Sequence, residues 1–547
     1  MKNILVYVLV MSALHTYGQS SIPEIKNVIL LIPDGASMDL ITLARWYNNN
    51  NPLALDSIIC GMIQTHSVDN RFPDSAPTST AYATGIKTVS GYVGVDREGA
   101  PHVSVMELAR LQGMATGIVA TCEFPHATPA DFVCHLPNRK NYNTLTTQFL
   151  NNSPDLVFAG GREVLENANN GQSLIDFKEA GYRLITDKIS FSKLKIHKDS
   201  IVWALFADWK NDTEYKSYQC DITRPEKEPS LSEMTAKAIE LLSQNKKGFL
   251  LVVEGSQIDW ACHNNDPFAA VTEFLEFDKA VGIALDFASG NGSTAVIVCP
   301  DHGNGGLSIG NAQSHTSFIQ KSPYQYDKID IREQVISPLK KIRCSARKLA
   351  ELMLIDSLYI HIDTLKHYYS ISDPEITINI RHLVKTFPAE VLSDTLQYLL
   401  GGSYSANNYI GWTTTGHTAE DVFLGIHVPD GNKRISGIID NTRIAGYISE
   451  LLHLGSLPEK EQRHFVRADM LFRNNPEIAL TATSESLIVR KGTLQLEILP
   501  NTRQMIMTSA NLFTGKYVLP TMAVCIQDPD GNPIYYLPES ILQYVAD

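Results

Sequence analysis

Three short apolar runs that each end near an acidic residue constrain the fold of this chain more than any other feature. The runs and their acids are residues 27–32 with Asp34, 249–253 with Glu254, and 294–298 with Asp301. Such short runs, with little polar alternation, predict parallel strands that are buried on both faces of a sheet. Because ligands bind at the carboxyl ends of strands in open α/β sheets, we expect the three acids to converge on one crevice. Several carboxylates in one place require a cation, so the pattern predicts a metal site.

Charge and length limit the classes of function. The 547-residue chain carries a formal net charge of -13 and has a pI near 5.7, without a dense run of Lys or Arg. These values argue against nucleic acid or an anionic membrane surface as the main partner, so we expect a small substrate. A chain of this length is expected to form one large α/β body with additions.

The first 18 residues have the pattern of a signal peptide. Lys2 precedes an apolar stretch at residues 4–14, and small residues lead to a cleavage site after Gly18. The stretch is too short to span a membrane, and no later segment approaches about 20 uninterrupted apolar residues. We therefore expect an exported protein without a membrane span, in the periplasm or outside the cell.

The mature chain is divided by its patterns into an α/β domain at residues 19–454 and a β-rich C-terminal region at 455–547. Alternating apolar runs and amphipathic helices predict a three-layer sandwich with a mainly parallel central sheet flanked by helices. The alternation breaks at about residues 311–410, where we expect a largely helical insertion. Capping boxes begin helices after Ser104 and Ser230, and Asn441 is expected to cap another helix.

The eight cysteines of the chain favour disulfides if the protein is exported. Cys122 and Cys134 are the most plausible pair, whereas Cys299 in a predicted buried strand is expected to be a free thiol. Spacing alone does not give the connectivity.

Histidines accompany the acids in the sequence. Asp259 and His263 are four residues apart, so a helix would place them on one face. One carboxylate and one imidazole provide half of a zinc site, although such pairs more often lie on a helix surface. Asp301 is followed directly by His302, and a threonine-rich loop presents His417. By itself His417 would more often be an ordinary loop residue.

Ser75 lies in a segment of small residues that is typical of a helix N-terminus, with Asp74 or Ser75 as the N-cap. A serine at this position meets the positive end of the helix dipole and free N–H groups. That environment suits both a nucleophile and a bound phosphate.

Together these segments resemble the alkaline phosphatase family, and they follow the family's order. The resemblance covers roughly residues 27–305 and 411–454. Its fragments are Asp34-Gly35, Asp74-Ser75-Ala76 with Thr84-Gly85, Ala127-Thr128-Pro129-Ala130, Arg139, Glu254-Gly255 with Ile258-Asp259 and His263, Asp301-His302, and Gly416-His417-Thr418. Each fragment is weak alone, but seven in register are specific.

The resemblance implies a phosphomonoesterase with two zinc ions and a third ion, whose oxygen ligands suit Mg²⁺. The implied ligands are Asp259, His263 and His417 for the first zinc ion, Asp34, Asp301 and His302 for the second, and Asp34, Thr128 and Glu254 for the third ion.

The resemblance also implies the reaction. Ser75 would attack phosphorus in line and form a phosphoserine that is then hydrolysed, while Arg139 binds two phosphoryl oxygens with its planar guanidinium. Because such a site binds mainly the phosphoryl group, a broad range of small phosphomonoesters is expected as substrates. The insertion is a candidate dimer contact, so a homodimer is one option.

Two positions depart from some bacterial members, which carry Asp and Lys near the third metal and the phosphate. This chain has His126 and Trp260 there. The imidazole nitrogen of His126 favours Zn²⁺ as an alternative to Mg²⁺ in the third site. Trp260 lacks the cationic contact of a lysine, so looser phosphate binding is one hypothesis and core packing beside the metal helix is the other.

Three other functions stay open. A sulfatase would need a formylglycine precursor in a [CS]-x-P-x-R pattern, which residues 75–79 match except that Ser79 replaces the arginine. A phosphodiesterase uses the same two-metal chemistry, but Arg139 and the third-metal residues favour a monoester. A non-catalytic metal- or phosphate-binding surface protein is expected to have lost at least one of the catalytic or metal-ligating residues. None of those that the resemblance implies is missing.

Overall fold

A computed structural model describes residues 23–195, 201–207, 224–310, 330–355, 389–510 and 512–546. The expected signal peptide lies outside these residues, as do residues 311–329 and 356–388 of the insertion. Within the described ranges, no helix combines the length and apolar character needed to cross a bilayer.

The α/β part contains a ten-stranded central sheet. The strands described from residue 27 to residue 440 are β1 (Asn27–Ile32), β2 (Ile59–Gln64), β3 (Ala115–Glu123), β4 (Leu156–Gly160), β5 (Arg183–Ile185), β6 (Val202–Leu205), β7 (Phe249–Glu254), β8 (Thr294–Val298), β9 (Gly303–Asn304), β10 (Leu307–Ile309), β11 (Ile410–Trp412), β12 (His417–Thr418), β13 (Val422–His427) and β14 (Gly437–Asp440). Their order in the central sheet is β14-β2-β13-β8-β1-β7-β3-β4-β6-β5. β13 runs antiparallel to β2 and β8, and the other pairings in this sheet are parallel.

β1 lies between β7 and β8 and is parallel to both, and all three strands are buried along their length. Alternate side chains of β1 contribute to two cores, with Ile29 and Leu31 on one face and Val28 and Leu30 on the other. Two cores on opposite faces of one sheet require helices on both sides. The predicted three-layer sandwich is confirmed.

Helices flank the central sheet and begin largely where the sequence predicts. The α-helices of the described ranges are Met38–Tyr47, Ser75–Thr84, Val105–Leu111, Ala127–Asp131, Tyr142–Asn151, Arg162–Asn167, Gln172–Glu179, Lys188–Ser192, Leu231–Leu242, Gln257–His263, Pro267–Asn291, Ser337–Leu339, Ala346–Ile355, Ala389–Asn407, Thr442–Leu451, Leu457–His464 and Ala468–Leu471. Both capping boxes form, at Ser104 and at Ser230. Asn441 takes the N-cap position of the helix Thr442–Leu451 as predicted, but its side chain makes no capping hydrogen bond, and the Asp440 carboxylate accepts from the Thr442 N–H.

The C-terminal region forms a separate seven-stranded antiparallel sheet in the order β15-β21-β20-β19-β18-β17-β16. Its strands are β15 (Val466–Arg467), β16 (Ile478–Ala482), β17 (Leu487–Lys491), β18 (Leu494–Ile498), β19 (Thr502–Ser509), β20 (Leu512–Gln527) and β21 (Pro533–Leu537). This sheet has its own core, and the side chains of Met522, Val524 and Ile526 also pack into one core of the central sheet. The Gln148 amide donates a 2.9 Å hydrogen bond to Asn501 across the same junction.

Candidate active site

The carboxyl ends of the three central strands bring the acids of the sequence motif to one edge of the sheet. Glu254 is the last residue of β7 and pairs with Ile32 of β1. Asp34 follows β1 and Asp301 follows β8. All three acids are buried, so the crevice expected from the sequence is present.

Asp34, Asp301 and His302 form one potential metal-binding set, with donor atoms that all lie within 4.8 Å of one another. His302 Nε2 is 3.2 Å from Asp301 Oδ2 and 3.7 Å from Asp34 Oδ1. The hydroxyl of Ser75 lies 3.3 Å from the same nitrogen. One member of the set expected to hold the second zinc ion, His302, therefore contacts the expected nucleophile.

Asp259, His263 and His417 form a second set. His263 Nε2 lies 3.3 Å from Asp259 Oδ2, and His417 Nε2 lies 3.2 Å from His263 Nε2 and 3.7 Å from Asp259 Oδ1. The Nδ1 atoms of the two histidines face the backbone carbonyls of Thr415 and Pro73, at 2.5 and 2.7 Å. Nδ1–H donation to a carbonyl leaves each Nε2 lone pair available, as in histidines that bind metals.

Glu254 lies at a third position, with His126 and Cys122 as neighbours whose donor atoms are within 4.8 Å. Thr128, on the helix Ala127–Asp131, is fully buried. Sequence reasoning missed Cys122 as a member of this group, because it assigned the thiol to a disulfide.

The predicted disulfide between Cys122 and Cys134 is wrong. Both thiols are free, as is the buried Cys299, whose prediction as a free thiol is confirmed. The Cys122 thiol donates to Glu254 Oε2 at 3.3 Å, and the Cys134 thiol donates to the Leu145 carbonyl at 3.6 Å. Each sulfur thus has a hydrogen-bond partner in its own neighbourhood.

Burial and mutual repulsion perturb the acids strongly. Burial, reinforced by the charge of Asp301, raises the pKa of Glu254 to about 8, and burial with the charge of Asp259 raises the pKa of Asp301 to about 6. The pKa of Asp34 is also raised well above its usual range by burial and by the neighbouring acids. Although burial opposes ionisation, the charge of His263 holds the pKa of Asp259 well below its usual range. Without a counter-charge, Asp34, Glu254 and Asp301 therefore hold protons more readily than ordinary carboxylates do.

The donor atoms in the crevice fit divalent cations. Several buried oxygens of the expected ligands have no hydrogen-bond partner within the described part of the chain, and they are both carboxylate oxygens of Asp34, Oδ2 of Asp301, Oε1 of Glu254 and Oγ1 of Thr128. Buried acceptors without partners cost free energy, and a cation offsets that cost. Histidine-containing sets suit zinc, whereas the carboxylate and hydroxyl oxygens at Glu254 and Thr128 suit magnesium.

Ser75 is the first residue of the helix Ser75–Thr84, whose side chains are all buried. Asp74 caps this helix, because its Oδ1 accepts from the Ala76 N–H at 2.7 Å. The same Oδ1 accepts from Arg139 Nη1 at 2.7 Å, and Oδ2 accepts from the Gly91 N–H at 2.7 Å. Asp74 thus holds both the start of the helix and the guanidinium of Arg139. The sequence predicted the first role, as an N-cap, but not the second.

His126 and Trp260 lie beside Arg139. His126 Nε2 is 3.0 Å from Arg139 Nη2, and burial together with the Arg139 charge lowers the pKa of His126 to about 4. A neutral His126 therefore accepts a hydrogen bond from Arg139. The ring of Trp260 meets the ring of His126 edge-on at 5.9 Å between centroids, and Trp260 is only partly buried.

Two residues near Asp259 were missed by sequence reasoning. Asn304 donates a 2.6 Å hydrogen bond to Asp259 Oδ1 and so orients that carboxylate. Gly35 packs so closely that a Cβ atom there would lie 2.7 Å from Asp259 Oδ1. The Asp-Gly dipeptide at residues 34–35 is visible in the sequence, but its contact with a residue more than two hundred positions away is not.

An α/β sheet that presents carboxylates, histidines and a buried serine at one edge is typical of metal-dependent hydrolases. The sequence profile of the alkaline phosphatase family matches residues 25–454. The chain belongs to the alkaline phosphatase family, whose members are phosphoric monoester hydrolases.

Relatives agree with this assignment. Alkaline phosphatase 4 of Bacillus subtilis is 34% identical over 447 residues, covering 79% of this chain and 90% of the relative. Alkaline phosphatase of Escherichia coli K12 is 34% identical over 328 residues, covering 51% of this chain and 70% of the relative.

Solved structures share the fold. The cold-active alkaline phosphatase of the psychrophile Shewanella sp. superposes with a TM-score of 0.65 at 28% identity, covering 78% of this chain and 99% of that chain. The Thermus thermophilus alkaline phosphatase superposes with a TM-score of 0.68 at 22% identity, covering 81% of this chain and 95% of that chain.

Proposed function

We propose that this protein hydrolyses small phosphate monoesters to an alcohol and inorganic phosphate through a phosphoserine at Ser75. The observation that carries the proposal is the position of the Ser75 hydroxyl, 3.3 Å from His302 at the start of a buried helix. Family membership supports monoesters as the substrate class. The open N-terminal turn of the helix favours the negative charge of a phosphoryl group.

The proposal includes two zinc ions and a third ion, Mg²⁺ or Zn²⁺. Bound cations would supply Lewis-acid stabilisation of negative charge on the attacking and leaving oxygens. The residues that would hold them are Asp259, His263 and His417 for the first zinc ion, Asp34, Asp301 and His302 for the second, and Asp34, Thr128 and Glu254 for the third ion.

Two side chains of this protein act directly on the phosphoryl group: Ser75 attacks it and Arg139 binds it. The Ser75 oxygen attacks phosphorus, forms the P–O bond and displaces the alcohol from the opposite side. Arg139 binds phosphoryl oxygens with its planar fork, and Asp74 and His126 hold the two ends of that fork through Nη1 and Nη2. Water then cleaves the Ser75–phosphate bond, which releases phosphate and regenerates the hydroxyl.

We also propose that the protein is exported after cleavage behind Gly18, on the basis of the N-terminal sequence pattern. N-terminal sequencing of protein recovered outside the cytoplasm tests this, and a mature protein that still begins at Met1 would contradict it.

Replacing Ser75 tests the reaction. Ser75→Ala should abolish hydrolysis of an aryl phosphate and the covalent phosphoryl adduct on the intact protein, while zinc content stays unchanged. Ser79→Ala is the matched control, because Ser79 is a buried serine of the same helix whose hydroxyl has no hydrogen-bond partner in the described chain. This control should keep its activity, and full activity of Ser75→Ala would overturn the proposal. A diester and a sulfate ester assayed in parallel distinguish the monoesterase from its nearest alternatives.

A further inference from the structure

A cavity of about 740 Å³ opens between the helix Gln257–His263 and two of the helices of the insertion. Its walls come from the helices Gln257–His263, Ala346–Ile355 and Ala389–Asn407 and from the loop before His417. Residues that line it include Trp260, His263, Arg347, Asp394, Tyr398 and Thr415. The volume is in the range of cavities that hold a drug-sized organic molecule.

The cavity adjoins the reaction centre through two routes. From Ser75, the contacts pass through His302, whose ring stacks on His417 at 3.7 Å, and then to His263 in the cavity wall. On the other route Arg139 contacts His126, and His126 meets the ring of Trp260. A phosphoryl group bound between Ser75 and Arg139 thus has the cavity as a neighbour.

In-line attack fixes which part of the substrate reaches this cavity. The leaving oxygen lies on the side of phosphorus opposite the attacking Ser75 oxygen. His263 belongs to the metal-binding set that Ser75 does not contact directly. Because His302 and His417 separate Ser75 from His263, a group that leaves on the side opposite Ser75 has His263 and the cavity behind it within reach.

The lining is aromatic and polar rather than aliphatic. Trp260 is partly buried and Tyr398 has 44% of its surface exposed, so both rings have faces or edges open to a ligand. Arg347, which is paired with Glu351 at 3.4 Å, and Asp394 bring charges of both signs to the wall, and Thr415, whose carbonyl faces His263, completes it. Aromatic walls favour a flat ring, and charged side chains favour polar substituents on it.

We propose that this cavity binds the leaving group of the substrate and favours one that carries a polar aromatic ring, as the nucleoside of a nucleoside monophosphate does. The inference rests on the proposed function, since it assigns a substrate preference to the same reaction. Tyr398 is its specificity-determining residue, because it is an exposed ring that the insertion contributes to the cavity wall.

The test compares adenosine 5′-monophosphate with glycerol 2-phosphate, which lacks a ring. In Tyr398→Ala the ratio of kcat/KM for the nucleotide to kcat/KM for glycerol 2-phosphate should fall about 3- to 10-fold, the usual size of one aromatic contact. Tyr398→Phe keeps the ring and should keep the ratio. Val518→Ala, an exposed apolar residue of the C-terminal sheet outside the cavity lining, should also leave the ratio unchanged.

Inhibition of the unaltered protein gives a second measurement. Adenosine should compete with glycerol 2-phosphate, and ribose at the same concentration should compete far less. An unchanged ratio in Tyr398→Ala, or equal inhibition by adenosine and ribose, would overturn the inference while leaving monoester hydrolysis intact. A protein that hydrolyses neither monoester would instead overturn the proposed function.

Discussion

Replacing Gly35 with alanine tests the contact between the end of β1 and the metal-ligand helix. Gly35 has φ of +71°, and an added Cβ atom would lie 2.7 Å from Asp259 Oδ1 and 2.9 Å from Asp259 Cα. It would also lie 3.1 Å from Asn304 Cβ, so the carboxylate and its hydrogen-bond donor are both crowded. Because one clashing atom belongs to the backbone, a rotamer change of Asp259 alone does not relieve the contact.

The expected magnitude has two contributions. A left-handed backbone costs alanine about 1–2 kcal/mol relative to glycine. Overpacking against Asp259 adds about 1–3 kcal/mol, so the unfolding free energy should fall by roughly 2–5 kcal/mol. Displacement of Asp259, the proposed zinc ligand, should also weaken zinc binding about 10- to 100-fold, the usual effect of disturbing the surroundings of a ligand.

Denaturant unfolding of metal-depleted protein measures the first effect, and zinc competition against a chromophoric chelator measures the second. Gly292→Ala is the matched control, because Gly292 has φ of +64° and a Cβ there meets no atom within 4 Å. The unfolding free energy of the control should fall only by the cost of a left-handed alanine, about 1–2 kcal/mol, and its zinc affinity should be unchanged. If Gly35→Ala bound zinc with unaltered affinity, the assignment of Asp259 as a ligand that Gly35 keeps in place would be refuted.

Two further predictions concern ion pairs. Asp74→Asn keeps an oxygen that can cap the helix but removes the charge that orients Arg139. The inhibition constant of inorganic phosphate should therefore rise about 3- to 10-fold. An unchanged inhibition constant would contradict this role of Asp74. Burial alone would lower the pKa of His102, but Asp96 and Glu461 raise it to about 9. Because the pKa of His102 is higher in the folded state, its ion pairs add about 3 kcal/mol to the unfolding free energy below about pH 6.5, the pKa of histidine in the unfolded chain. This contribution is lost as the pH rises through about 9. His102→Gln should lack this part of the pH dependence in denaturant unfolding, and an identical pH profile in the variant would show that the ion pair contributes nothing.

The central sheet and the meeting of three acids could be predicted from sequence because short buried strands leave a local pattern. A run of apolar residues on both strand faces identifies β1, β7 and β8, and parallel strands end at the same edge. Asp34, Glu254 and Asp301 therefore required no knowledge of distant contacts. The helix at Ser75 was equally local, because a cap and small residues mark its start.

The features that sequence reasoning missed depend on contacts between distant segments. Cys122 and Cys134 are close in the chain, which favoured a disulfide, yet their sulfurs contact Glu254 and the Leu145 carbonyl instead. Asn304 orients a carboxylate forty-five positions earlier, and no periodicity marks that contact. The cavity likewise combines Trp260 with helices of the insertion, so neither segment alone indicates it.

The position of β1 between β7 and β8 has a consequence for how this family can vary. The backbone hydrogen bonds of a parallel sheet hold neighbouring strands about 4.8 Å apart, and the two strands beside β1 end in Glu254 and shortly before Asp301. The spacing of the carboxylates proposed to bind metal is thus set by the backbone of the sheet, which side-chain changes elsewhere do not alter. The insertion, by contrast, supplies two helices of the cavity wall, Ala346–Ile355 and Ala389–Asn407, and its described residues add no strand to this sheet. Such a division lets substrate preference diverge by insertion and replacement of helices while the spacing that the chemistry requires stays fixed.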